Sequence, residues 1–174
     1  MGSEMCIRDR NNYEITPVTH ADPLVNDWIH QQLCVQPDGL ALFDLTADRP
    51  FTWREFNARV DALAHRLTAE NVGAGDRVAY LGMNSSDVVE MFYATIRIGA
   101  VYVPLNFRLT PPELSFIMSD CTPSAIMFDG AFEAVIKEIN ASVLPPVLID
   151  TALDGSYSGY EKALMWDQAA IEPA

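Results

Sequence analysis

The 174-residue chain predicts an α/β fold: a mostly parallel sheet with helices on its faces. Three observations predict it. Short apolar, β-branched runs alternate with stretches of helical periodicity. Two capping boxes mark helix starts. The connections between periods are short, so parallel strands must be joined by right-handed crossovers through the helices. About half of the residues are apolar, a fifth are charged, and no repeat or low-complexity run occurs, as in an ordinary globular chain.

In chain order, Leu24, Trp28, Ile29 and Leu33 space a short amphipathic helix over residues 24–33, and "GLALFDL" (39–45) has the apolar density of a strand. Thr52-Trp53-Arg54-Glu55 is a capping box, in which the threonine oxygen and the glutamate carboxylate satisfy each other's free backbone donors. Trp53, Phe56, Val60, Leu63 and Leu67 then fall on one helical face, and Gly73 and Gly75 are expected to end that helix. "RVAYLGM" (77–83) reads as a buried strand, and "NSS" as the cap of a helix over 87–98. Its Val88, Val89, Met91, Phe92, Ile96 and Ile98 wrap most of the circumference, which predicts cover on more than one side.

"AVYVPLN" (100–106) is the next strand, and Pro104, lacking an N–H, places it at an edge or near its end. Thr110-Pro111-Pro112-Glu113 is a second capping box with proline at the first helical position, and Leu109 and Leu114 can form a hydrophobic staple. "SAIMFD" (124–129) is a third strand. "AFEAVIKEI" is a helix with Phe132, Val135, Ile136 and Ile139 on one side, and "PVLID" (146–150) is a fourth strand. The remainder reads as a Gly/Ser loop, a short helix over 160–166 and a polar end. Residues 1–10, "MGSEMCIRDR", share neither pattern nor composition with the rest and read as a non-native extension.

Composition excludes several functions. With 24 acidic against 11 basic residues and a net charge of −13, there is no basic face to neutralise nucleic-acid phosphates, so no nucleic-acid partner is expected. Cys6, Cys34 and Cys121 are odd in number and widely spaced, which fits neither a disulfide framework nor a zinc site. His20, His30 and His65 lack a helical partner one turn away and a carboxylate at ligand spacing, so no metal site is expected. No apolar run is long enough to cross a bilayer and no secretory signal opens the chain; a cytoplasmic location is expected.

One segment resembles a known family. It runs from "FTWREFNARV" to "SAIMFD", with Thr52-Trp53-x-Glu55, Gly75-Asp76-Arg77-Val78, Asn84-Ser85, Gly99-Ala100-x-Tyr102-Val103-Pro104-Leu105-Asn106 and Arg108-Leu109-Thr110 before Glu113-Leu114. These pieces, in this order, resemble the N-terminal part of the AMP-forming adenylating enzymes, acyl-CoA synthetases above all, over about residues 25–166. The resemblance implies that residues 11–174 are an incomplete N-terminal portion of the AMP-binding large domain. It implies an intact ligase that uses ATP, Mg2+ and CoA: a carboxylate attacks the α-phosphate, pyrophosphate leaves, and CoA takes the acyl group.

The family's Ser/Thr/Gly phosphate loop ending in Pro-Lys-Gly and its C-terminal lysine do not occur here, so the chain alone is expected to be inert, to bind none of these cofactors tightly, and to hold no catalytic residue. Gly/Ser-containing "DGSYSGYEK" (154–162) lacks the Gly-Lys adjacency of a phosphate cradle. A non-catalytic α/β binding module, a peptide-synthetase adenylation domain and an acyl-AMP ligase are the alternatives.

The single candidate binding residue is Arg108. In some acyl-CoA ligases the matching arginine contacts phosphates of the CoA nucleotide; the competing reading is a surface arginine paired with Glu113 or Asp120. Asn106 and Thr110 are read as a strand end and a helix cap, Asn84 and Ser85 as caps, and Asp120, Asp129 and Asp150 as loop-capping residues. Trp28 and Trp166 are expected to face parts of a larger protein, and missing neighbours are expected to leave apolar surface exposed.

Overall fold

The computed structural model describes residues 28–45, 48–151 and 158–159. Five strands form the main sheet in the order β4-β3-β5-β6-β7, every neighbouring pair parallel: β3 Arg77–Leu81, β4 Val101–Leu105, β5 Ala125–Phe128, β6 Val147–Asp150 and β7 Ser158–Gly159. Helices α2 Trp53–Ala69 and α3 Ser86–Arg97 contribute to a core that takes in Val78, Tyr80, Met127 and Ile149 of the strands. Helices α4 Pro111–Cys121 and α5 Glu133–Glu138 contribute to a second core with Ala79, Leu81, Ile126 and Phe128. Successive strand residues alternate between the two cores, the period-two geometry of a sheet buried on both faces. Pro104 sits on β4, the edge strand, as its missing donor requires.

The expected strand-helix alternation does not start at residue 39. β1 Leu40–Asp44 pairs antiparallel with β2 Arg49–Thr52 in a separate two-stranded sheet. Four connecting residues are too few for a crossover, so a hairpin is the available geometry. Pro50 and the charged Asp48 and Arg49 conceal β2 from a hydrophobicity reading. At the other end, Ser158–Gly159 adds a strand beside β6 where a loop was expected; the remainder of 152–174, including Lys162, Trp166 and the expected helix over 160–166, lies outside the described residues. Helix α1 spans Trp28–Val35, and residues 24–27 also lie outside them.

Both capping boxes form. Glu55 accepts from the Thr52 N–H at 2.8 Å while its own N–H donates to the Thr52 hydroxyl at 3.2 Å. Glu113 accepts from the Thr110 N–H at 2.8 Å and from its hydroxyl at 2.7 Å. Helix α2 stops at Ala69, before the expected glycines, because Asn71 takes the left-handed conformation (φ 62°) and the Val72 N–H turns back to the Leu67 carbonyl.

The amino ends of the strands are tied by the segment Gly73–Arg77. The Asp76 carboxylate accepts from the Gly73 N–H and from the Ser124 hydroxyl, both at 2.9 Å. Arg77 donates to the Cys121 carbonyl at 2.8 Å and the Thr122 carbonyl at 2.9 Å, satisfying the end of α4. Gly75 (φ 82°) and Gly99 (φ 70°) adopt the left-handed region where their turns meet, the Gly75 N–H donating to the Gly99 carbonyl.

Helix α3 departs from expectation. Met91, Ala94 and Thr95 are buried, yet Val89 and Phe92 are 37% and 42% exposed. A charged side chain takes part of the inward face instead: Glu90, fully buried, accepts from Arg59 Nε of α2 at 2.5 Å, and the same guanidinium lies 3.8 Å from Asp87 and over the Phe51 ring of β2. This group joins two helices and the hairpin.

Glu90→Ala is expected to cost about 3–5 kcal/mol by leaving Arg59 buried without its main partner. Arg59→Met with Glu90→Leu should cost much less than the two single changes summed; urea unfolding of the cycle checks this, and simple additivity would refute it. Hydrogen bonds from Thr52, Gly73 and Thr110 hold the Glu55, Asp76 and Glu113 carboxyls below their ordinary values. Their stabilisation is therefore complete at neutral pH, begins to fall as pH drops through the ordinary carboxylate range near about 4, and is lost below their folded values. Urea unfolding against pH should show stability falling as pH drops below about 4, and Asp76→Asn should make that fall shallower.

Candidate functional site at the carboxyl edge of the sheet

In a parallel sheet, ligands approach where the strands end and the loops to the helices begin. Here that edge is set by register: Leu81 lies opposite Leu105 on one side and Phe128 on the other, and Phe128 lies opposite Asp150. The sequence-predicted residues Asn84, Ser85, Asn106, Arg108, Asp129 and Asp150 thus all stand at or just beyond one edge. Asp120 does not. It belongs to the last turn of α4, whose 11 residues carry it about 16 Å toward the opposite edge.

Arg108 is exposed in the turn after β4. Asn106 builds that turn: its side-chain oxygen accepts from the Arg108 N–H at 3.0 Å, and its carbonyl accepts from the Leu109 N–H at 3.1 Å. The Phe107 ring packs at 5.9 Å on Phe132, and the Arg108 guanidinium lies 5.5 Å from the centre of the Phe107 ring. The expected pairing with Glu113 or Asp120 is not what the structure shows. Glu113 caps α4 through Thr110, Asp120 is displaced by the helix, and among the described residues Arg108 forms no ion pair. Its donors face solvent above an aromatic platform.

The loop after β3 differs from expectation as well. Ser85 is the N-cap of α3 with extended backbone, but its side chain makes no capping hydrogen bond. Asp44, at the end of β1 and 7% exposed, supplies the cap: its carboxylate accepts from the Ser86 N–H at 2.9 Å. A partner 42 residues away could not be read from the loop's own sequence. Tyr80 is buried beneath this loop, its hydroxyl donating to the Met83 carbonyl at 3.3 Å, and burial pushes its pKa upward.

Asp129 caps the turn after β5, accepting from the Ala131 N–H at 2.9 Å, and Asp150 is fully buried at the end of β6. Among the described residues no three carboxylate, imidazole or thiol groups gather as a metal site. His30 and Cys34 do stand one helical turn apart, Nε2 to Sγ 3.9 Å, contrary to the expectation that no histidine has such a neighbour; both are exposed. Cys34 and Cys121 are free thiols, and burial raises the Cys121 pKa.

Next to this edge, α1, the β1–β2 hairpin, the start of α2 and the start of α3 enclose a cleft of about 720 Å³. Trp28, Leu42, Leu45, Trp53, Val89 and Tyr93 are among its walls, and Asn84 and Ser85 connect it to the carboxyl edge. Trp28 at 63% and Leu45 at 87% exposure make an apolar rim.

The AMP-binding enzyme family matches residues 29–169. The chain belongs to that family. Its sequence is 36% identical over 146 residues to the long-chain-fatty-acid–CoA ligase FadD13 of Mycobacterium tuberculosis, covering 84% of this chain and 28% of the relative. Over 76 residues it is 46% identical to a feruloyl-CoA synthase of Amycolatopsis sp, covering 44% of this chain and 16% of that one. An inhibitor-bound crystal structure of the N-terminal domain of FACL13 from Mycobacterium tuberculosis superposes with a TM-score of 0.70 at 31% identity, over 84% of this chain and 36% of that one. Against FadD13, then, this member of the AMP-binding enzyme family spans about a quarter of the full length. The motifs that carried the resemblance have structural explanations within it: Thr52 to Glu55 and Thr110 to Glu113 start helices, Gly75 to Arg77 ties the amino edge, and Asn106 shapes the turn that presents Arg108.

Proposed function

We propose that this chain is the N-terminal part of an ATP-dependent acyl-CoA synthetase, with residues 11–174 forming part of the AMP-binding large domain and residues 1–10 foreign to it. In the intact enzyme a carboxylate oxygen attacks the α-phosphorus of ATP and pyrophosphate leaves; the CoA sulfur then attacks the acyl carbon and AMP leaves. The observation that carries this reading is the family match across residues 29–169. Relatives named for a long-chain fatty acid and for ferulate share this segment, which supports an acyl pocket whose selective walls lie elsewhere.

Among the described residues no three metal-ligating groups gather, and no adenylation step is assigned to them. CoA is different. Arg108, exposed over Phe107 at the edge where ligands enter, suits a phosphate of the CoA nucleotide, which a guanidinium grips through paired charge-assisted hydrogen bonds. The chain is assigned to a cytoplasmic enzyme; among the described residues no helix is long and apolar enough to cross a membrane.

Incubated with ATP, Mg2+ and a panel of aliphatic and aromatic carboxylates, this chain alone should release no pyrophosphate; measurable turnover would refute its inertness. Joined to the remainder of an AMP-binding enzyme, it should form acyl-CoA. In that enzyme Arg108→Ala should raise the KM for CoA about tenfold, the worth of one charge-assisted contact, while leaving the acyl-adenylation half-reaction unchanged. An equal loss in both half-reactions would assign Arg108 a structural role.

A further inference from the structure

A histidine and a cysteine converge on α1, away from the carboxyl edge and outside the walls of the cleft. Ile29 turns into the core, while His30 and Cys34, one helical turn apart, are exposed, with His30 Nε2 standing 3.9 Å from Cys34 Sγ. We propose that these two side chains form a bidentate site for one thiophilic divalent cation of the zinc class. Residues four apart on a helix have Cβ atoms about 5–6 Å apart, so spacing alone leaves the two groups free to diverge. Here the imidazole nitrogen and the sulfur meet. Zinc bonds of about 2.3 Å to sulfur and about 2.0–2.1 Å to nitrogen, set at a tetrahedral angle, require the two donors to stand about 3.6 Å apart. The observed separation is a small side-chain rotation away from that span.

The donor set selects the cation. A thiolate and an imidazole suit Zn2+ and its heavier relative Cd2+, whereas Mg2+, the ion of the adenylation chemistry, takes oxygen ligands in an octahedral shell. Binding replaces the thiol proton of Cys34: the sulfur gives an electron pair to the cation, the neutral imidazole binds through Nε2, and one proton leaves to solvent for each ion taken up. Among the described residues no third carboxylate, imidazole or thiol joins the pair, so water completes the coordination and the site is an open one. Two further features favour loading. The chain carries a net charge of −13, which raises the concentration of cations around it. Helix α1 has only eight residues, with no acidic group in its first turn and no basic one in its last, so a clamp across one turn adds support that its own ends lack.

The test uses the chain by itself, so its result does not depend on whether the longer enzyme makes acyl-CoA. Cd2+ is titrated into the chain, kept reduced by a phosphine in thiol-free buffer at about 0.15 M salt, where the long-range field of the acidic chain is screened. The ultraviolet sulfur-to-cadmium charge-transfer band reports binding, and Zn2+ then competes. One Cd2+ per chain is expected, displaced by Zn2+ but not by a large excess of Mg2+. Cys34→Ser should abolish the band. His30→Ala should weaken Cd2+ binding about tenfold or more, the loss of one of two ligands. Both positions are exposed, so these changes leave the fold intact. A chain carrying Cys6→Ser and Cys121→Ser together should keep the band. A band that survives Cys34→Ser, a His30→Ala chain that binds as tightly as the parent, displacement by Mg2+, or one Cd2+ held between two chains would each overturn the proposal, the second by reducing the site to a single thiol.

Discussion

The arrangement depends on the register of the parallel sheet. Because parallel neighbours cannot be joined by tight turns, each connection leaves one edge, crosses a face as a helix and returns to the other edge. With Leu81 level with both Leu105 and Phe128, the loops that leave the carboxyl ends start side by side, whatever their sequences. Asn84, Asn106, Arg108 and Asp129 become neighbours along one edge for this reason. The opposite edge is consumed in fastening: Asp76, Arg77 and Gly75 use their hydrogen bonds on strand and helix ends, leaving fewer groups for a ligand.

A second set of constraints fixes the hairpin, which the main sheet does not hold. β1 and β2 form no ladder with the five-stranded sheet; backbone bonds from Trp53 and Arg54 to Gly39 and Pro37 tie them to the start of α2, and side chains hold them against the rest. Asp44 reaches the first N–H of α3, Phe51 packs in the core under the Arg59 guanidinium, and Arg59 is held by Glu90. Ion pairs this deep seldom add net stability compared with well-packed apolar groups, but they are selective: a guanidinium and a carboxylate accept few substitutes and few alternative orientations. The hairpin, α2 and α3 are thereby set at one relative position, and the cleft between them follows from it.

The sequence made much of this visible. Both helix starts could be read because a capping box is local, with donor and acceptor three residues apart, and Pro104, lacking an N–H, narrowed the choice to an edge strand or a place near a strand's end. What escaped was non-local or disguised. β2 was hidden by Pro50 and its charged neighbours, and the end of α2 by an asparagine doing what a glycine was expected to do. Glu90 sits among apolar residues of α3 and gives no sign that its partner is Arg59, 31 residues earlier. The cap of α3 was assigned to Ser85 because serine is a common capping residue, whereas Asp44, distant in sequence, holds that N–H.

Arg108 shows how a local motif can predict where a residue stands without predicting what it touches. Spacing placed it just past a strand, and the structure agrees; the carboxylates that spacing also offered are both unavailable, one spent on a cap and one carried off by the helix. A guanidinium left to solvent above an aromatic ring keeps its hydrogen-bond donors for a partner that arrives later. The cleft behind the same edge has the opposite character, since its only charge is committed to the backbone and its rim is apolar. The loop after β3 lies where the two meet: Asp44 holds its far end at Ser86, while Tyr80 supports it from beneath through Met83.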